Sequence, residues 1–148
     1  MNEVVVVRRL IPVPREDVFA AWLDAAAMTE WMLPGSTTRS TIELDPRVGG
    51  KFRIVMSHGD RDSEHRGEYL AIEPPALLSF TWISLGTDQQ PTIVTIELAE
   101  RDGGTELTLT HRNLPASKIE THTTGWNDIV RKLAEVLSHR PNKRELSP

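Results

Sequence analysis

From residue 38 to about residue 112, apolar and polar side chains alternate with a period of two. Phe52, Ile54 and Met56 alternate with Lys51, Arg53 and Ser57; Val94, Ile96 and Leu98 with Thr95 and Glu97; Leu107 and Leu109 with Thr108 and Thr110. Such alternation predicts strands with one buried and one wet face. Turn signals stand at Pro46, Gly49-Gly50, the segment HGDRDSE, Pro74-Pro75, Gly86 through Pro91, and Asp102-Gly103-Gly104. They divide the stretch into six strands, near 38–44, 50–57, 64–72, 77–84, 92–100 and 105–112. The short connections favour an antiparallel meander. A seventh strand is predicted over residues 4–11, VVVVRRLI, which is rich in β-branched residues and stops at Pro12.

The period is helical on either side of this block. After Pro14, the residues Val18, Phe19, Trp22 and Leu23 share one face of a short helix, with Glu16 and Asp17 near its positive end. Asp24 is placed to cap a second short helix through AAAMTEW, ended by Pro34-Gly35. Near the C-terminus Ile119, His122, Trp126, Ile129, Val130, Leu133, Val136 and Leu137 recur at three and four. They form the apolar stripe of one long helix, with Ser117 and Glu120 at capping-box spacing and Pro141 as its stop. A twisted seven-stranded sheet with one apolar face curls, and the long helix is the element available to fill the curl.

The chain of 148 residues has no Pro/Gly/Ser-rich linker and no charge block, so one domain is expected over 1–148, with a core at about 3–138 and a short tail at 140–148. Its 17 basic and 21 acidic residues are mixed, which disfavours a nucleic-acid partner because phosphate binding needs clustered positive charge. The absence of cysteine excludes disulfides, thiol nucleophiles and thiolate zinc sites. The start, MNEVVVVRRLIPVP, has the wrong order for a secretory signal and is too short to span a membrane, so a cytoplasmic protein is expected.

The order strand, two short helices, six strands, long helix resembles the helix-grip fold of START-related (SRPBCC) domains. The segments that carry the likeness are PVPREDVFAAWLDAAAMTEWMLP, VGGKFR, RGEYLAIEPPALLSFTW, VTIELAERDGGTELTLTH and the GW of GWNDIVRKLAEVL. Within that group the chain is similar to homologues of the C-terminal domain of the heat-shock protein 90 ATPase activator, from about residue 3 to 138. The resemblance implies an α+β helix-grip fold with an apolar cavity between the sheet and the C-terminal helix, open near the short helices. It also implies a family of small-ligand binders and chaperone-associated domains, with polyketide aromatases and cyclases in related branches.

The residues expected at such a cavity are Trp31, Phe52, Met56, Tyr69, Trp82, His111, His122, Trp126 and Ile129. Leu78, Phe80 and Trp82 point to one side of their strand, and Trp82 either packs in the core or meets a ligand through its indole. His111 follows Leu107 and Leu109 at spacing two, so it faces inward as a ligand-orienting or acid–base group, or as a hydrogen-bonded structural histidine. His122 lies four residues before Trp126 on the helical stripe, and Gly125 lets that helix approach a strand or bend. Trp31 and Met32 are placed as a lid or as ordinary packing. Tyr69 would be the polar group nearest Trp82, but Tyr69 and Leu70 face inward together only across a bulge. HGDRDSEH lacks the ligand order of a calcium loop and reads as a solvated hairpin tip, and no GxSxG elbow is present. No metal, cofactor or catalytic residue is therefore assigned.

Three function classes remain. A non-catalytic binder of a small apolar or aromatic molecule is favoured, because enzymes need at least two cooperating polar groups and only His111 is firmly directed inward. A cyclase-, aromatase- or hydrolase-like enzyme would use His111 with Tyr69 or His122. A chaperone-associated interaction module is the third, although the chain lacks a counterpart of the activator's other half. At most weak homodimerisation is expected, through the valine-rich strand at residues 4–7 and opposed by Arg8 and Arg9.

Overall fold

The structure, a computed structural model, describes residues 3–139. The tail expected at 140–148, with Pro141, lies outside the described residues. Seven strands run β1 (Glu3–Ile11), β2 (Arg39–Leu44), β3 (Lys51–His58), β4 (Arg61–Glu73), β5 (Leu77–Ser84), β6 (Thr92–Arg101) and β7 (Gly104–Leu114). They form one antiparallel sheet in the order β1-β7-β6-β5-β4-β3-β2, so the meander is as the alternation predicts and β1 closes against β7. Between β1 and β2 lie α1 (Arg15–Ala21) and α2 (Ala25–Met28); α3 (Ile119–His139) ends the described chain. This is the α+β helix-grip arrangement.

Local chemistry accounts for the elements. Asp24 caps α2 by accepting the Ala27 amide at 3.1 Å, but α2 spans only four residues because the chain turns at Thr29–Trp31. The helix-start reading at Ser117 is corrected: a 3₁₀ turn at Ala116–Lys118, preceded by Pro115 without a side-chain cap, leads into α3 at Ile119. The hairpin after β3 is tighter than expected, with Gly59-Asp60 as its turn and His58 paired with Arg61. Gly67 on β4 stands opposite Phe52; a Cβ there would lie 1.9 Å from the Thr81 carbonyl oxygen and 2.5 Å from Phe52 Cζ. Only glycine admits the Phe52 ring at this point.

The core follows the sheet's inner face and the helical stripe. Ile129, Val130 and Leu133 of α3 are buried with Val5, Val7, Ile96, Leu107 and Leu109 of the sheet. α3 lies chiefly along β1, α1 along β6 and β7, and α2 along β2. The long helix therefore covers one half of the curled sheet, and the other half is left to the short segment containing Trp22, Met28, Trp31 and Met32. Gly125 makes no close approach to a strand: a Cβ there would meet only Pro34 Cβ, at 3.9 Å. No helix among the described residues is long and apolar enough to cross a membrane.

Candidate functional site

An apolar void lies beneath the short helices. Trp22, Met28 and Met32 form its helical side, and Leu44, Phe52, Ile54, Tyr69, Phe80 and Trp82 its sheet side. It holds about 10 Å³ of space for the centre of a water-sized sphere, near the minimum of roughly 10–15 Å³ that one water needs. The aromatic rings of the sheet side stack into one another: Phe52 meets Tyr69 at 5.5 Å, Phe80 at 5.4 Å and Trp82 at 6.0 Å between ring centres. Tyr69 reaches this wall through a β-bulge. Register with β5 slips between Tyr69 and Ala71, which turns Leu70 outward at 42% exposure while Tyr69 and Ile72 both face in. Burial, with the charge of Asp45 behind it, pushes the Tyr69 hydroxyl up to about 12, so it remains a neutral O–H.

Two buried indole N–H groups on the helical side have no hydrogen-bond partner, those of Trp22 and Trp31. Their rings meet edge to face, 4.6 Å apart at 68°. An unpartnered buried donor costs about 1–3 kcal/mol, so this segment is held by packing against a polar penalty.

Beside the void, where α3 meets β5, β6 and β7, the polar groups form a closed chain. The Trp126 indole donates to His111 Nδ1 at 2.9 Å. An indole nitrogen can only donate, so Nδ1 is the bare nitrogen and Nε2 carries the proton. Nε2–H then donates to Thr92 Oγ1 at 2.7 Å, and the Thr92 hydroxyl donates to the Trp82 carbonyl at 2.6 Å. Burial pushes the His111 pKa down to about 3, with His122 adding to the shift; protonating Nδ1 would also set two N–H groups against each other. His111 is fully buried and engaged at both nitrogens, which makes it a structural link between helix and sheet and leaves it no lone pair for acid–base chemistry.

A second set of histidines packs around this chain. His122 packs edge-on to His111, 5.1 Å away, and donates from Nδ1 to the Lys118 carbonyl at 2.8 Å. His65 lies over Trp82 at 5.1 Å and 30°, with its Nδ1 buried and unpartnered. Ser63 joins His65 to His58, at 3.4 and 3.3 Å, and Thr37 reaches His58 at 3.2 Å. Burial first, then the neighbouring His122 and His58, pushes His65 down to about 4. The reading of HGDRDSEH as a solvated tip is thus half corrected. Asp60, Arg61, Asp62 and Glu64 are exposed, but strand pairing turns His58 and His65 inward. Among the described residues no three side chains of His, Asp or Glu type converge as metal ligands.

Of the residues expected at a cavity, the structure brings Phe52, Tyr69 and Trp82 to the void. Trp126 and His111 do converge with Trp82, as the alternation and the stripe independently direct, but in filled packing: Trp126 lies 5.1 Å from Trp82 and bonds His111, which reaches the Trp82 carbonyl through Thr92. Trp31, Met56 and Ile129 are buried in the core, and His122, partly buried, packs against His111 away from the void's wall. Trp22, Met28, Leu44, Ile54 and Phe80 also line the void, and sequence reasoning did not single them out for a site. Trp22 falls at helical spacing from Val18 and Phe19 and Met28 ends the next short helix, a pattern that distinguishes core from surface but not wall from core. His65, which sequence reasoning did not single out, stacks on Trp82.

Comparison with curated proteins yields no match. Solved structures share the fold. Protein CV1439 from Chromobacterium violaceum is 23% identical, with a TM-score of 0.82 over 94% of this chain and 98% of that one. CalU16 from Micromonospora echinospora is 22% identical, with a TM-score of 0.72 over 93% and 78%. PFC0360w from Plasmodium falciparum, described as an HSP90 activator, is 26% identical, with a TM-score of 0.74 over 91% and 96%. The family model described as Activator of Hsp90 ATPase homolog 1-like protein matches residues 12–138, from the end of β1 through α3, and the chain belongs to that family.

Proposed function

We propose that this protein binds a small, mainly apolar molecule, without transforming it, between the β2–β5 half of the sheet and the segment from Trp22 to Met32. The observation that carries the reading is the make-up of the void's wall. Aromatic rings form a rigid sheet side, and two methionines with Trp22 form the side covered by a four-residue helix. The void of about 10 Å³ is small, and a ligand enters by displacing Met28 and Met32, whose unbranched side chains change rotamer at low cost. The engagement of both His111 nitrogens supports a binder over a catalyst.

Thermal denaturation with small aromatic hydrocarbons and ketones tests this. A probe present at 100 times its dissociation constant stabilises the native state by about 2.7 kcal/mol, a rise of roughly 5–10 °C for a domain of this size. No shift for any probe up to its solubility limit contradicts the proposal. A second reading, engagement of an Hsp90-type chaperone, draws support from the 26% identity to a protein described as an HSP90 activator. It requires that the added chain raise a chaperone's ATPase rate, and an unchanged rate removes it.

A further inference from the structure

We infer that the molecule taken up in this void carries a hydrogen-bond acceptor, such as a ketone, ester or ether oxygen, which receives the indole N–H of Trp22. The inference rests on the ligand-binding reading above and narrows the ligand's chemical class. Indole nitrogen donates and never accepts, and a buried indole ordinarily finds a partner. Trp126 obeys that rule through His111. Trp22 does not: it is 2% exposed, its ring forms part of the void's wall, and its Nε1 is without a partner. Trp31 packs edge-on behind it with the same deficit but lies outside the wall. The remaining helical side is thioether and hydrocarbon from Met28 and Met32, and the sheet side adds the Tyr69 hydroxyl and the Trp82 indole N–H. Three lining side chains, those of Trp22, Tyr69 and Trp82, carry donors and none is a carboxylate, so an occupant that displaces Met28 and Met32 is favoured as an acceptor over an ammonium or guanidinium group.

The test is a pair of probes matched in shape, 1-indanone and indane, titrated against the wild type, Trp22→Phe and Trp31→Phe. Trp22→Phe keeps an aromatic ring and removes the donor. It should weaken 1-indanone by about tenfold and leave indane within about twofold, while Trp31→Phe shifts neither beyond about twofold. Equal loss of both probes in Trp22→Phe, or no loss of 1-indanone, overturns the inference while leaving ligand binding standing. Failure of both probes to bind the wild type removes the ligand-binding reading and this inference with it. A second measurement does not depend on the variant's folding. In the ¹⁵N spectrum of the wild type, the Trp22 indole N–H should move downfield with 1-indanone and not with indane, and an indole signal unmoved at saturation overturns the inference.

Discussion

Lowering the pH from 7 to 5 should weaken the fold by about 4 kcal/mol through two histidines. In the unfolded chain both titrate near 6.5, whereas burial holds His111 down at about 3 and His65 down at about 4 in the folded one. Above pH 6.5 neither state holds these protons and stability is independent of them. As the pH falls below 6.5 the unfolded chain takes up protons that the folded chain refuses until its own pKa values are reached, so stability falls throughout that window. Each histidine contributes close to 1.4 kcal/mol per pH unit, or about 2 kcal/mol by pH 5. His122, also held below its ordinary value by burial, acts in the same direction. The loss is a large share of the roughly 5–15 kcal/mol that holds a domain together. Urea denaturation at half-unit intervals from pH 7 to 5 measures it. His111→Gln, which does not titrate, should lower stability at pH 7 and reduce the slope by about 1.4 kcal/mol per unit. Stability flat to within about 0.5 kcal/mol over this range, or an unchanged slope in His111→Gln, would refute the buried, neutral network.

Leu133→Ala removes a fully buried side chain from α3 and should cost about 2–5 kcal/mol in chemical denaturation; a loss under about 0.5 kcal/mol would mean the helix is not gripped as described. Gly67→Ala places a methyl against the Thr81 carbonyl and the Phe52 ring and should cost about 3 kcal/mol or more, whereas a neutral effect would contradict the close approach there. Trp126→Phe leaves His111 Nδ1 without its donor and should lower stability by about 1–3 kcal/mol, measured by thermal melting; an unchanged midpoint would argue against that bond.

Much of this arrangement was legible along the chain because periodicity reports which face of an element is buried. The alternation through β3, β6 and β7 and the stripe from Trp126 to Leu137 match most of the buried positions, although Ser57 and Thr110, expected on the wet face, are buried as well. The meeting of Trp82, His111 and Trp126 was legible for the same reason. What periodicity does not carry is depth. It directs Ile129 and Phe52 inward alike, yet Ile129 packs from the long helix into the filled core and Phe52 faces a void that a four-residue helix leaves unfilled. The bulge that turns Tyr69 and Ile72 to the same face breaks the period itself, so neither facing follows from counting in twos. His65 was missed because its partner surface, the Trp82 ring, belongs to the neighbouring strand, and cross-strand stacking depends on register that the turn residues alone do not set. Gly67 is visible as a glycine within a strand, but the ring it admits becomes identifiable only once β3 and β4 are paired.

The most direct measurement of the central claim, a ligand seated between the short helices and the β2–β5 face, is the methyl spectrum of ¹³C-methyl methionine protein titrated with 1-indanone. Met28 and Met32 form the wall that must yield, and Met56, buried on β3, lies outside it. The account predicts saturable shifts of the Met28 and Met32 methyls with little movement of Met56. Methyl signals that stay in place at the probe's solubility limit, or movement confined to Met56, would contradict it.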